Sequence, residues 1–381
     1  MSDLAVTSTA SRVPNAEGTS RSRRGRLGRA VKVLAGLTVA ATVLVIPLYA
    51  ERFWLQLAMF AFAAAVAALG LTVLTGQAGQ LSLGHSFFVA VGAYGYTLLA
   101  ADSGRGTVGV ALPPVLASVL AVLLAGLAGL LFTPIAARLR GIYLGIATLG
   151  LVFGGQHLLF NAGGLSGGSN GRSVPDFAIP GFRFDTAVGE TLFVFGVPFQ
   201  RPEKLWYLGL AVTAAAYLVS RSIIRGRLGR ALRAINHREL MAGVIGVPVT
   251  RYKGYAFLLS SMYAGLGGVL LAVAYGRIVP DTFGFDLAVA YLLMVVIGGL
   301  GSPGGAIVGA AFVTCLPAIL ERYADSVPGL ALPGAEGISP AVAAKLAFGA
   351  AVIALLLFEP GGAAAVGGRI RKGVLRRVRR S

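Results

Sequence analysis

The chain has 381 residues, of which 56% are hydrophobic and only 13% charged. A soluble domain carries about 25% charged residues, so the composition speaks against a soluble globular protein. The net charge of +18 does not make it a nucleic-acid binder, because its basic residues lie in tails and loops beside long apolar runs.

Those runs are continuous rather than alternating, the pattern of membrane-spanning helices and not of a β-barrel. Residues 1–30 are rich in Ser, Arg and Gly and read as a disordered, basic cytoplasmic tail. Ten candidate spans follow, at roughly 31–49, 53–74, 81–100, 109–133, 142–160, 205–220, 255–275, 285–300, 303–320 and 339–358. The run at 33–50 is long for a signal-peptide core, and another span follows at once. The expected architecture is therefore an all-α polytopic membrane protein of about ten transmembrane helices, with a membrane domain over 31–358 and a second basic cytoplasmic tail over 359–381. Ten spans allow two five-helix halves of inverted topology, although the sequence shows no clear repeat.

Charge gives the orientation. With the N-terminus inside, seven Lys or Arg up to Lys32, Arg138 and Arg140, eight from Arg221 to Lys253 and seven from Arg369 onward lie on the inner side. Nine of the 33 then remain outside. The positive-inside rule thus predicts that both termini and residues 221–254 are cytoplasmic.

Residues 76–100 read GQAGQLSLGHSFFVAVGAYGYTLLA. Glycines in an apolar run let helices approach closely, or let a helix break and expose its backbone dipoles. Gln77, Gln80, Ser82, Gly84 and His85 are candidates for a translocation pathway, since polar groups at membrane depth need partners and often line one. A hydrogen bond to a neighbouring helix is the plainer reading of His85. Three histidines and one cysteine, Cys315, make a metal site or an intramolecular disulfide improbable. Residues 161–204 form the longest external loop, opening with the glycine-rich GGLSGGSNGRSVP.

Residues 221–253 are a polar island between apolar segments. Leu228, Ala231, Leu232 and Ile235 share one helical face. Asn236 and Glu239 resemble a capping box that starts a second short helix, from His237 to about Ile245. Gly246 then stands where a left-handed C-cap is wanted, and Pro248 stops continuation. Two short helices joined at Asn236 are one reading; a solvated basic loop that only fixes topology is the other. The last glycine-rich stretch, GGLGSPGGAIVGA at 298–310, carries GxxxG at Gly301–Gly305 and Gly305–Gly309. Pro303 within it suggests a broken or re-entrant helix, which adds Gly301, Ser302 and Gly305 to the pathway candidates.

Five stretches carry a resemblance. ALRAINHRELMAGVIGVPVTRYK resembles the cytoplasmic coupling loop of branched-chain amino acid ABC transporter permeases of the LivM type, a variant of the EAA signature of ABC importers. Glu239, Ala242 and Gly246 match that pattern; Met241 and Gly243 depart from it. TGQ-x-GQ-x-S-LGH-x-FF, GIYLGIATLG at 141–150 and GGxGSxxG are similar to the same family, as is the GG-x-x-GG-x-x-G of the external loop. Together they cover roughly residues 53 to 320.

The resemblance implies a permease subunit of an ABC importer for leucine, isoleucine and valine in a prokaryotic cytoplasmic membrane. It implies Arg230, Arg233, Asn236, Glu239, Ala242 and Gly246 as coupling residues, and as partners two ABC ATPase subunits, a second related permease and an extracytoplasmic substrate-binding protein. Membrane lipid surrounds the chain, and neither nucleic acid nor a cofactor is expected. No lysine follows a glycine, so the chain has no phosphate-cradling P-loop of its own. A permease for urea or short amides shares most of these motifs. An ATP-independent carrier or channel is the more distant alternative, weakened because no Asp or Glu lies in the middle of a span; Asp286 and Glu359 sit at ends.

Overall fold

A computed structural model describes residues 44–104, 108–184, 192–194, 197–324, 339–359, 361–365 and 369. Residues 1–50 form a unit by themselves, in which a helical stretch at 44–49 is described. The N-terminal tail, most of the first candidate span and most of the C-terminal tail lie outside the described residues.

The second unit holds eleven labelled helices. They are α1 Arg52–Leu71, α2 His85–Ala100, α3 Pro114–Arg138, α4 Ile142–Asn161, α5 Arg201–Arg225, α6 Arg227–His237, α7 Glu239–Val244, α8 Val249–Tyr275, α9 Phe285–Gly298, α10 Pro303–Ala324 and α11 Pro340–Phe358. α1 continues into a π-helix, Thr72–Gln77. Seven helical segments are long and apolar enough to cross a membrane: Arg52–Gln77, Pro114–Arg138, Ile142–Asn161, Arg201–Arg225, Val249–Tyr275, Pro280–Gly298 and Pro303–Tyr323. α2 has 16 residues, and the apolar part Val342–Leu355 of α11 is also shorter than a full span. The chain is thus an all-α polytopic membrane protein, with seven full-length spans among the described residues.

α1 and α8 form the core. α1 is rich in alanine, and Ala63, Val66, Ala67, Ala68 and Leu69 are fully buried. α8 meets it with glycines: a Cβ on Gly267 would press on Ala63 O and Ala67. Gly265 and Gly92 of α2 approach each other so closely that a Cβ on Gly92 would overlap the Gly265 backbone. In lipid, helices gain little from hiding apolar surface from one another, so close packing of small residues supplies the association. Helices farther out show apolar side chains instead: Leu123, Leu127 and Leu131 of α3 are exposed, as a lipid-facing surface requires.

The helix pairings repeat along the chain. α8 packs on α3 as α1 packs on α10, and α2 lies beside α3 as α9 lies beside α10.

Pro303 does not break a helix. It is the first residue of α10, where its missing N–H is harmless. The interruption lies before it, in a turn in which Gly299 (φ 99°) and Gly301 (φ 82°) take left-handed backbone. The segment after α4 holds a short helix, Gly163–Ser166, and the strands β1 Arg172–Ser173, β2 Ala178–Ile179, β3 Phe182–Arg183, β4 Leu192–Val194 and β5 Val197–Phe199. β2 pairs with β3 and β4 with β5, while β1 pairs antiparallel with β6, Arg277–Ile278, just after α8.

Candidate functional site

α5 runs past the apolar region to Arg225, and the extended Gly226 turns the chain into α6. The apolar spacing is realised: Leu232 and Ile235 are buried, Leu228 and Ala231 half-buried. Leu232 packs in one cluster with Val73, Leu74, Phe132, Leu144 and Phe257. The junction differs from the expected one. Asn236 lies inside α6, and the break falls at Arg238, whose φ of −153° is extended. The helix α6 thus runs one residue past the expected junction, with Asn236 against Gly79. The end of α7 is as the sequence predicts: Gly246 has φ 86°. Its N–H donates to Gly243 O at 3.0 Å and that of Val247 to Ala242 O at 3.0 Å, the two bonds of a Schellman cap.

Three of the sequence motifs meet beneath α6. Arg233 Nη1 donates to Gln77 Oε1 at 2.9 Å and to Ile224 O at 3.0 Å. Gln77 Nε2 in turn donates to Gly301 O at 3.0 Å. A cation in α6, an amide at the end of the π-helix and the α9–α10 turn therefore form one polar chain. Two close approaches reinforce it. A Cβ on Gly76 would overlap the Gly301 backbone, and one on Gly79 (φ 67°) would overlap the Asn236 amide. Only glycine lets the backbone pass at these points.

Glu239 clamps the other side. One carboxylate oxygen meets Lys253 Nζ at 2.9 Å, the other Arg140 Nε at 3.2 Å. Lys253 is 4% exposed, so this carboxylate neutralises a buried cation that would otherwise be costly. Arg230 is exposed and donates to Arg225 O at 3.2 Å; Ala242 is buried.

Between Gly79 and Gly84 the chain leaves helical geometry and climbs back into the bundle. His85, the first residue of α2, reaches Ala67 O in α1 with Nε2 at 2.8 Å. Ala67 lies ten residues before Gln77, so α2 starts deep inside the bundle rather than at its edge. Ser82 Oγ accepts from Gly84 N at 3.3 Å, and it is Leu83 and Gly84 that lie against α4. Leu83 N donates to Thr148 Oγ1 at 2.9 Å, and a Cβ on Gly84 would press on Thr148 O. The pathway candidates are thus dispersed. Gln77 and Gly301 are joined, Ser82 bonds to Gly84, which contacts α4, and His85 is tied to α1. Ser302 caps α10 by accepting from Gly305 N at 3.2 Å, while Gly305 contacts the Gly298 backbone.

Gln80 is 5% exposed, and neither amide atom has a hydrogen-bond partner among the described residues. It lines a cavity of about 170 Å³ bounded also by Leu139, Arg140, Leu144, Ile235, Asn236, Glu239 and Lys253. Among the described residues no group of three His, Cys, Asp or Glu could hold a metal ion. The site contains linkages between elements rather than a nucleophile with its base.

Arg140 and Lys253 escaped assignment to the site from sequence. Their signals were present but weak. Arg140 is a charge in a four-residue gap between two apolar runs, and Lys253 stands near the start of an apolar helix, where a lone cation needs a carboxylate.

The family model for the permease component of the branched-chain amino acid transport system matches residues 53–358. The high-affinity branched-chain amino acid transport system permease protein LivM of Salmonella typhimurium is 32% identical over 286 residues, covering 73% of this chain and 66% of that protein. LivM of Escherichia coli is 32% identical over 296 residues, covering 75% and 68%. The permease protein LivH of Salmonella typhimurium is 34% identical over 113 residues, covering 29% and 36%. The chain spans about two thirds of the length of the two LivM proteins. No solved structure matches it.

Proposed function

Because this chain belongs to the family of branched-chain amino acid transport system permease components, we propose that it is the membrane-spanning subunit of an ABC importer that carries leucine, isoleucine and valine into a prokaryotic cell. ATP is hydrolysed by two partner subunits, a substrate-binding protein delivers cargo from outside, and a second, related permease completes the pore. Similarity to both LivM and LivH supports such a pair.

The observation that carries the reading is the surface of α7. Leu240, Val244 and Ile245 are 78%, 83% and 74% exposed on a short helix outside the spans. An exposed apolar patch of this kind is normally covered by a partner, and in this reading the ATPase subunit covers it. What lies behind the patch makes it useful. α6 is held to Gln77 and through it to Gly301, and α7 to Arg140 and Lys253. A push on α7 therefore reaches the ends of α1, α3, α8 and α10 together, with no covalent chemistry in this chain.

The positive-inside rule puts α6, α7 and both termini in the cytoplasm. Cysteines at Ser169 and His237, in a Cys315→Ala background, should then react with impermeant reagents from opposite sides; reaction of both from outside would overturn that orientation. The function is tested by affinity purification from the native host followed by uptake of labelled cargo. ATPase subunits should co-purify, and deletion of the gene should abolish low-concentration uptake of at least one of the three amino acids. Unchanged uptake of all three with loss of urea uptake assigns the cargo to the short amides. Transport by the chain without any ATPase sinks the importer reading.

A further inference from the structure

The turn between α9 and α10 is held from two sides. On one side stand Gln77 and, through it, Arg233 of α6. On the other stands the stretch 361–365, just after α11. A Cβ on Gly362 (φ 66°) would overlap Ile297 O and Gly299 N, and one on Gly299 would press on Gly361 O and Ala364. These contacts place the end of α11 at the same end of the bundle as α6 and α7. Glu359 then draws the chain back: its Oε1 meets Arg369 Nη2 at 2.6 Å, ten residues on. At Arg369 begins RIRKGVLRRVRRS, in which seven residues are Lys or Arg and none is Asp or Glu.

A cluster of roughly four to eight cations directly after a span suits an anionic membrane surface, and each cation favours such a surface about fivefold. An acidic protein would satisfy the same charges, but the setting favours lipid. Ile353, Leu357 and Phe358 are exposed on the last turns of α11, as a helix side facing acyl chains requires. The basic cluster, tied to Glu359, therefore starts at the rim of the bilayer. Ile370, Val374, Leu375 and Val378 recur among the charges at helical spacing, which supplies apolar groups to press below the headgroups.

We propose that the segment from Arg369 docks on anionic phospholipid headgroups of the leaflet beside α6 and α7. Through the stretch 361–365, this anchorage steadies the α9–α10 turn. That the leaflet is the cytoplasmic one rests on the orientation proposed above; that the tail shares the end of α6 and α7 rests on the contacts alone.

The full chain with Cys315→Ala and Ser381→Cys, carrying a fluorophore at position 381, tests this in nanodiscs doped with a headgroup-quencher lipid. Both faces of a nanodisc have one composition, so the readout does not depend on orientation. Quenching is expected in equimolar phosphatidylcholine and phosphatidylglycerol but not in phosphatidylcholine alone, and it should fade as salt rises. Arg376→Gln, Arg377→Gln, Arg379→Gln and Arg380→Gln together, each weakening docking about fivefold, should abolish it with membrane accumulation unchanged. Hydrogen exchange at 299–302 should be slower in the anionic nanodiscs for the unaltered tail, and equal in both lipids for the four-substitution variant. Equal quenching in both lipids, or quenching that survives the four substitutions, overturns the docking. Quenching that needs added ATPase subunits assigns the tail to them and overturns it as well. Lipid-dependent quenching with lipid-independent exchange overturns the bracing of the turn. If α7 proves to lie outside the cell, the docking result stands and only the leaflet changes.

Discussion

The helical core is interrupted twice in similar ways, at opposite ends, and the two interruptions are tied to different things. Before α2, the chain turns at Gly79 (φ 67°) and restarts its helix after Gly84. Before α9, it turns at Gly276 (φ 70°) and restarts after Gly284. The first break is fastened to α6 through Gln77–Arg233 and the Gly79–Asn236 contact. The second is fastened to the extended segment after α4: Arg277 pairs with Ser173 and donates to Asn170 O at 2.6 Å, and a Cβ on Gly171 would overlap Ile278 O. There a buried Arg172 donates to Leu165 O at 3.0 Å, and burial pulls its guanidinium below the ordinary arginine value. Similar backbone is thus tied to the helix α6 at one end and to the extended segment after α4 at the other.

The largest effect should come from placing the same substitution in both breaks. Gly79→Val meets two penalties: a left-handed φ that costs a non-glycine residue about 1–2 kcal/mol, and an overlap with the Asn236 amide of the overpacking kind, roughly 1–3 kcal/mol. Gly276→Val bears only the first, since its Cβ would meet nothing closer than the tip of Arg201 at 3.7 Å. Transport and membrane accumulation should both fail for Gly79→Val, while Gly276→Val keeps a measurable rate. Equal loss in the two variants would erase the distinction between the two breaks.

Gly246→Val comes next. Its Cβ would enter open space, so only the backbone of α7's cap is strained. Membrane insertion should survive, transport should stop, and recovery of ATPase subunits in pull-downs should fall. Normal transport with the ATPase still bound would reduce α6 and α7 to a topology anchor.

Gln77→Leu sharpens the same point from inside the bundle. It removes one charge-assisted and one neutral hydrogen bond, together about 2–4 kcal/mol, while keeping an apolar side chain of similar size. Uptake should drop about tenfold or more in vesicles while ATP turnover by the assembled transporter persists. If uptake and turnover fall in proportion, Gln77 supports folding and not transmission. The smallest effect belongs to Gly243→Ala. A Cβ there meets nothing within 4 Å, and alanine stabilises a helix by up to about 1 kcal/mol over glycine, so uptake should stay at the unaltered level.

Class and local helix ends were legible in the sequence because they depend on neighbours. The apolar runs give the spans, Leu232 and Ile235 give the buried face of α6, and Gly246 before Pro248 gives the cap. What required the folded chain depends on partners far away. Asn236 reads as a cap because Glu239 follows at the right spacing, yet Glu239 is engaged by Arg140 and Lys253 and the break moves to Arg238. A comparable local bond forms instead at Gln200, whose N–H donates to Glu203 Oε2 at 2.9 Å. Pro303 suggests a broken helix, whereas the deep re-entry belongs to residues 79–84, where no proline marks it. The Arg233–Gln77–Gly301 chain spans 224 residues, which no periodicity can display.

The π-helix at Thr72–Gln77 has a genealogical consequence. Such a turn holds one more residue than an α-helical turn, as though a single codon had entered an older helix. Upstream, α1 keeps its alanine face on α8; downstream, every side chain is rotated by about 100°, one residue's share of a 3.6-residue turn, which is what aims Gln77 at Gly301. Lineages of this gene should therefore exchange residues within 72–77 far more readily than they lose one. Deleting a single residue among 72–76 would restore a regular helix and turn the Gln77 amide away from both of its partners.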